Sequence, residues 1–198
     1  MDDLIYNQSK IPKDQWRYGF RSSADTGCGW IAVYNALRLM GWRAEPEKLI
    51  RYFECQLPLI HGNAGTSVWG PALYFKRWGF PVKMTARRSD FDALAREGDV
   101  CILFYRWRKG WKLGAHFVAL RWTGSEFVGY NTYRNSGCPD VYGPSLDAFL
   151  RKRGYFCPVL TVVRDKKRYK NTEKELCKIN NISSSFLYRG ADCFFRAF

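Results

Sequence analysis

The sequence predicts an α+β fold in which helices pack on an antiparallel sheet, and two observations carry that expectation. The first half of the chain repeats apolar residues at helical spacing. The second half carries short runs rich in Val, Ile, Phe and Tyr, separated by glycine-containing turns. Helices first and a meander of strands second is the order of that class. At 198 residues, 46% hydrophobic and 17% aromatic, the chain has enough apolar surface for one packed core. A largely disordered chain is excluded.

The elements follow in order. Residues 1–25 are polar with scattered aromatics and read as an arm leading to the first helix. "CGWIAVYNALRLMG" sets Trp30, Ile31, Val33, Tyr34, Leu37 and Met40 at helical spacings, and Gly41 stops it. "EPEKLIRYFECQ" reads as a short helix with Pro46 near its start and Leu49, Ile50 and Phe53 on one face. "NAGTSVWGPALYFKRWGF" reads as a third helix, capped by Thr66 or Ser67, with Pro71 in its first turn and Gly79 at its end. "SDFDALAREGD" is a further helix, capped by Ser89 or Asp90 and closed by Gly98. "DVCILFYRW", "AHFVALRW" and "EFVGYNTY" read as antiparallel strands. "SLDAFLRKRG" then reads as a helix and "FCPVLTVVRD" as a strand. From Asp165 the sequence turns polar and basic with weak periodicity. The expected division is therefore a folded domain, 1–164, and a basic tail, 165–198, loosely docked or disordered.

Composition narrows the function. The formal net charge of +14 attracts polyanions: nucleic acid, an anionic membrane or an acidic partner. No apolar run is long enough for a transmembrane helix and the N-terminus has no secretory pattern, so the expected compartment is the cytoplasm. Seven cysteines form no CxxC pair and only two histidines are present, which argues against a zinc site. No cofactor is expected.

One constellation carries chemistry. Cys28 lies between two glycines just before a helix, where a helix N-terminus offers partial positive charge and free N–H groups. His116 opens a strand behind Gly114 and Ala115, and Asn131 ends the next strand fifteen residues later. In an antiparallel hairpin those two positions are neighbours. A thiol, an imidazole and a group that fixes the ring tautomer are what thiol nucleophilic catalysis requires. An imidazolium stabilises the thiolate and later protonates the leaving group, and the Cys28 N–H is a candidate oxyanion donor. His61, in "LPLIHGNAG", reads as a surface-loop histidine. "FYRWRKGWKLG" reads as a solvated hairpin edge blunted by Arg and Lys, with stacking on nucleotides as the alternative.

The order Cys, His, Asn, with the Cys opening a helix and the others on the sheet, resembles the papain-like cysteine peptidases. "TGCGW", "GTSVWGPALYFKRWGF", "HFVAL" and "YNT" occur in the order and at the intervals of the compact bacteriocin-processing leader peptidases, over roughly residues 15–163. In that family a D-C-G opens the helix, a G-T-S segment starts a middle helix, and an H-F-V-V-L strand is followed by D-P. The resemblance implies a papain-like fold with Cys28 as nucleophile, His116 as general acid/base and Asn131 as orienter. It implies hydrolysis of a peptide or isopeptide bond through an acyl-enzyme, acting on a peptide or protein substrate. Acyl transfer to an amine would share the first half-reaction. Asn131 replaces the family's Asp, and Gly27 replaces the Asp before the nucleophile. Ser22 stands where the family has its oxyanion glutamine, six residues before the Cys, so Ser22 and Gln15 are the oxyanion candidates. The alternative is a weak or inactive module on the same fold, binding an acidic protein or nucleic acid through its basic surface.

Overall fold

The computed structural model describes residues 4–55 and 65–168. The chain divides into two units, Met1–Arg164 and Asp165–Phe198. In the first unit the elements in order are β1 (Arg17–Tyr18), β2 (Arg21–Ser22), α1 (Ser23–Thr26), α2 (Cys28–Leu39), α3 (Pro46–Cys55), α4 (Gly70–Arg77) and β3 (Val82–Thr85). Then come α5 (Phe91–Glu97), β4 (Val100–Lys109), β5 (Lys112–Trp122), β6 (Phe127–Tyr130), β7 (Asp140–Gly143), α6 (Leu146–Lys152) and β8 (Phe156–Val163). The fold is α+β. Its main sheet has the order β3-β8-β4-β5-β6-β7, with every pairing antiparallel.

The sheet's alternation builds two cores. Val100, Ile102, Phe117, Ala119 and Val163 face α2 and α3, where Trp30, Ile31, Val33, Leu37, Leu49 and Phe53 are buried. The intervening residues, Cys101, Leu103, Tyr105, Val118 and Leu120, face Phe91 and Ala95 of α5 and Leu146, Phe149 and Leu150 of α6. The expectation placed the N-terminal helices on the sheet. The structure adds that both faces are covered, because β4 and β5 are apolar at consecutive positions and cannot leave one face wet.

Several elements depart from the expectation in extent. The third helix begins at Gly70, with Pro71 in its first turn; Gly79, at φ 74°, follows its end. Ser67 accepts from the Trp69 N–H just ahead of it, whereas Thr66 turns inward to Tyr18. Ser145 caps α6 through the Ala148 N–H, at 3.3 Å. β4 and β5 run further than read, and their outer ends form a ribbon whose other neighbours have already stopped. β8 pairs with β4 only as far as Arg106↔Phe156, and β6 pairs with β5 only from Ala119↔Tyr130. Among the described residues, no helix is long and apolar enough to cross a membrane.

Candidate functional site

Cys28 starts α2, yet a turn of helix precedes it. Gly27 N–H donates to Ser23 O and Ile31 N–H donates to Gly27 O, so α1 runs almost continuously into α2. The break is at Gly27, whose ψ of 1° ends one helix and begins the next. A Cβ at Gly27 would sit 2.5 Å from Ser23 O and 2.7 Å from Trp30 Nε1, so no side chain fits there. That explains glycine at this position. The Ala24 carbonyl, which an unbroken helix would give to the Cys28 N–H, accepts instead from Gln8 Nε2 at 3.2 Å. The N–H groups of Cys28 and Gly29 face the Cys28 sulfur, as does the main-chain N–H of Phe117.

That last contact brings the thiol to the peptide bond joining His116 to Phe117. The His116 ring lies on the Tyr105 side of the sheet, with ring centroids 6.0 Å apart, while α2 packs on the Phe117 side. Both lie at the part of β5 that β6 does not pair, the thiol at the Phe117 N–H and the ring at the Asn131 carbonyl. His116 Nε2 lies 2.6 Å from Asn131 O. A carbonyl only accepts, so Nε2 carries the proton and Nδ1 keeps its lone pair. Among the described residues, no hydrogen bond joins Cys28 to His116.

Asn131 orients the ring by its main chain and not by its amide, which corrects the expected arrangement. Its φ is 67°, a left-handed conformation that asparagine tolerates better than most residues. Its side chain is held by Gln8: Oδ1 accepts from the Gln8 N–H at 2.8 Å and Nδ2 donates to Gln8 Oε1 at 3.0 Å. Gln8 thus ties the N-terminal arm, α1 and the end of β6 together.

The oxyanion candidates are placed elsewhere. Ser22 Oγ accepts from the Ala24 N–H and caps α1. Gln15 is exposed and lines an open pocket of ≈ 300 Å³ with Ile5, Lys10, Ile11 and Ser136. Thr66 lies against Gly29, the residue after the nucleophile. A Cβ on Gly29 would fall 2.1 Å from Thr66 Oγ1, so this hydroxyl rests on the first turn of α2. Tyr18 OH lies 3.0 Å from Thr66 Oγ1, and both residues are buried. Burial pushes the Tyr18 phenol up to about 12; Thr66 opposes this, and Cys28 and Glu54 add to it.

Electrostatically the resting site is neutral, unlike the thiolate–imidazolium pair expected. Burial raises the Cys28 thiol from 9.0 to about 11 against the three N–H groups that favour the thiolate. Burial also lowers the His116 pKa from 6.5, against the raising effect of the Asn131 carbonyl. A pH dependence of stability follows. The depressed His116 contributes fully above pH 6.5, and its contribution is lost as pH falls through the folded value. The raised Cys28 contributes fully below pH 9.0, and its contribution is lost as pH rises through about 11. Urea midpoints are expected to be shallowest in slope between those limits. Cys28→Ala should make the alkaline limb shallower, with the raised Tyr18 phenol keeping part of it, and an unchanged limb in that variant would refute the assignment.

Of the residues singled out in the sequence, the structure joins His116 to Asn131 and sets Cys28 against the main-chain N–H of Phe117. It sets Ser22 and Gln15 to other tasks, and His61 lies outside the described residues. Gln8, Tyr18 and Thr66 join the site without having been expected there. Among the described residues, no cluster of three His, Cys, Asp or Glu side chains could hold a metal ion. No protein-family model matches this chain, and no curated protein matches it.

Proposed function

We propose that the protein is a papain-like cysteine peptidase in which Cys28 is the nucleophile and His116 the general base and acid. The observation that carries this reading is the Cys28 sulfur lying against the His116–Phe117 peptide while the His116 ring is held at Nε2 by Asn131 O. That leaves Nδ1 as the one basic ring atom. The substrate carbonyl carbon is attacked by Sγ as the thiol proton passes to Nδ1, so no resting ion pair is required. The Asn131 carbonyl stabilises the imidazolium that forms. The oxyanion is met by the Cys28 N–H with the Thr66 hydroxyl beside it. Collapse of the tetrahedral intermediate breaks the C–N bond, and the Nδ1 proton goes to the leaving amine. Water then adds to the thioester with His116 as base, regenerating the thiol and releasing the acid. An amine in place of water gives acyl transfer.

The second reading, a binding module on the same fold, is favoured by one observation. Neither Ser22 nor Gln15 presents a side-chain donor at Cys28, and losing such a donor costs about 2.7–4 kcal/mol of barrier. The test offers a mixture of fluorogenic peptides, varied at the residue before the scissile bond, to wild type, Cys28→Ala and His116→Ala. Cleavage by the wild type that disappears in both variants is expected. Cleavage that survives Cys28→Ala, or no cleavage by any form, would overturn the peptidase reading.

A further inference from the structure

The outer end of the β4–β5 ribbon, Arg106–Lys109 and Lys112–Leu113, is not used by the site and, apart from Trp107, not by the core. Beyond Arg106↔Phe156 on one side and Ala119↔Tyr130 on the other, its two strands pair only with each other. At its apex Gly110 turns at φ 57° and Trp111 stands 105% exposed, with Leu113 58% exposed beside it. Behind them Arg106, Arg108, Lys109 and Lys112 are all exposed. Lys109 faces Lys112 and Arg108 faces Leu113 across the ribbon. Among the described residues, no carboxylate pairs with any of these four cations.

A tip that is apolar outermost and cationic immediately behind fits a layered surface: an acyl boundary beneath a plane of negative headgroups. We propose that this ribbon docks on an anionic lipid bilayer, with Trp111 and Leu113 entering the interface and the four cations meeting the headgroups. A nucleic-acid strand is the less suited polyanion. Stacked bases need open aromatic faces along a groove. Of the ribbon's two outer tryptophans, Trp107 is covered by Gly114, whose added Cβ would fall 2.3 Å from its ring, and Trp111 stands alone at the turn, so no row of stacking faces forms. The surface is independent of the peptidase reading.

The experiment uses the full chain carrying Cys28→Ala, sedimented with vesicles of phosphatidylcholine alone or containing 30% phosphatidylserine. The expected result is at least tenfold tighter partition to the phosphatidylserine vesicles, weakened at high salt. Trp111→Ser with Leu113→Ser should cut it at least fivefold, and so should Lys109→Gln with Lys112→Gln. These positions are exposed, and unchanged melting temperatures would show that the variants fold. Equal partition to both vesicles would overturn the proposal, as would binding indifferent to the ribbon variants. A single-stranded oligothymidylate that binds through Trp111 and displaces the protein from vesicles would replace it with nucleic-acid binding.

Discussion

His116→Ala is expected to slow cleavage about 10²–10⁴-fold, the usual worth of a general acid/base, whereas Asn131→Gly is expected to keep most of the activity. The contrast rests on which atom of Asn131 touches the ring. The acceptor at 2.6 Å from Nε2 is the main-chain carbonyl, and glycine adopts φ 67° without strain. Asn131→Ala keeps the carbonyl but gives up asparagine's tolerance of the left-handed region, at a cost of up to about 1–2 kcal/mol. It should lose more activity than the glycine variant. Both lose the amide that pairs with Gln8, so both should melt earlier than wild type. The measurement is kcat/KM against pH for the four proteins. If the amide were the orienting group, Asn131→Gly would fall as far as Asn131→Ala, and the assignment would fail.

Gly29→Ala is expected to damage stability and site together. The added methyl would lie 2.1 Å from Thr66 Oγ1, 2.3 Å from its Cβ and 2.8 Å from its Cγ2. All three atoms belong to a short, branched side chain that cannot swing clear as a lysine would. Thr66 is also fixed by Tyr18 at 3.0 Å, and Gly70 has no room behind it, since its own Cβ would meet Thr66 Cγ2 at 2.9 Å. Overpacking of this kind typically costs about 1–3 kcal/mol, a fall in Tm of roughly 2–4 °C per kcal/mol for a chain of this size. The helical gain of alanine over glycine, about 1 kcal/mol, offsets part of it. The discriminating control is Gly29→Ala combined with Thr66→Ser. The serine lacks Cγ2, so the double variant should recover part of the Tm. A Tm in Gly29→Ala equal to or above wild type would show that Thr66 is not held where the structure puts it.

The parts of this molecule that were legible in the sequence are those coded by neighbours. Cys28 beside a helix start, His116 at the head of an apolar strand and Asn131 one hairpin later are local patterns, and a hairpin turns spacing into contact. Gln8 had no such signal. Its partner lies 123 residues away, and its own segment carries no periodicity, so nothing local marks it. Thr66 stood where a cap belongs, and only its burial against Tyr18 shows that it faces the other way. β3 escaped notice because its four residues are all partly or wholly exposed, without alternation. β7 mixes one buried tyrosine with an exposed valine and a glycine. The covering of the sheet's second face by α5 and α6 depends on the path of the chain, and periodicity within an element does not report that path. The neutral state of Cys28 and His116 is likewise set by the solvent excluded around them.

The strand order has a consequence for synthesis on the ribosome. β8 lies between β3 and β4 although it is made after both, so the growing chain displays two unsatisfied sheet edges until Val163 has emerged. Once β3 and β4 have been made, the nascent sheet lacks the strand that joins its edge strand β3 to the rest, and a truncation before β8 leaves that gap for good. Cys28, His116 and Asn131 are all translated earlier than the strand that closes the sheet on which they are assembled.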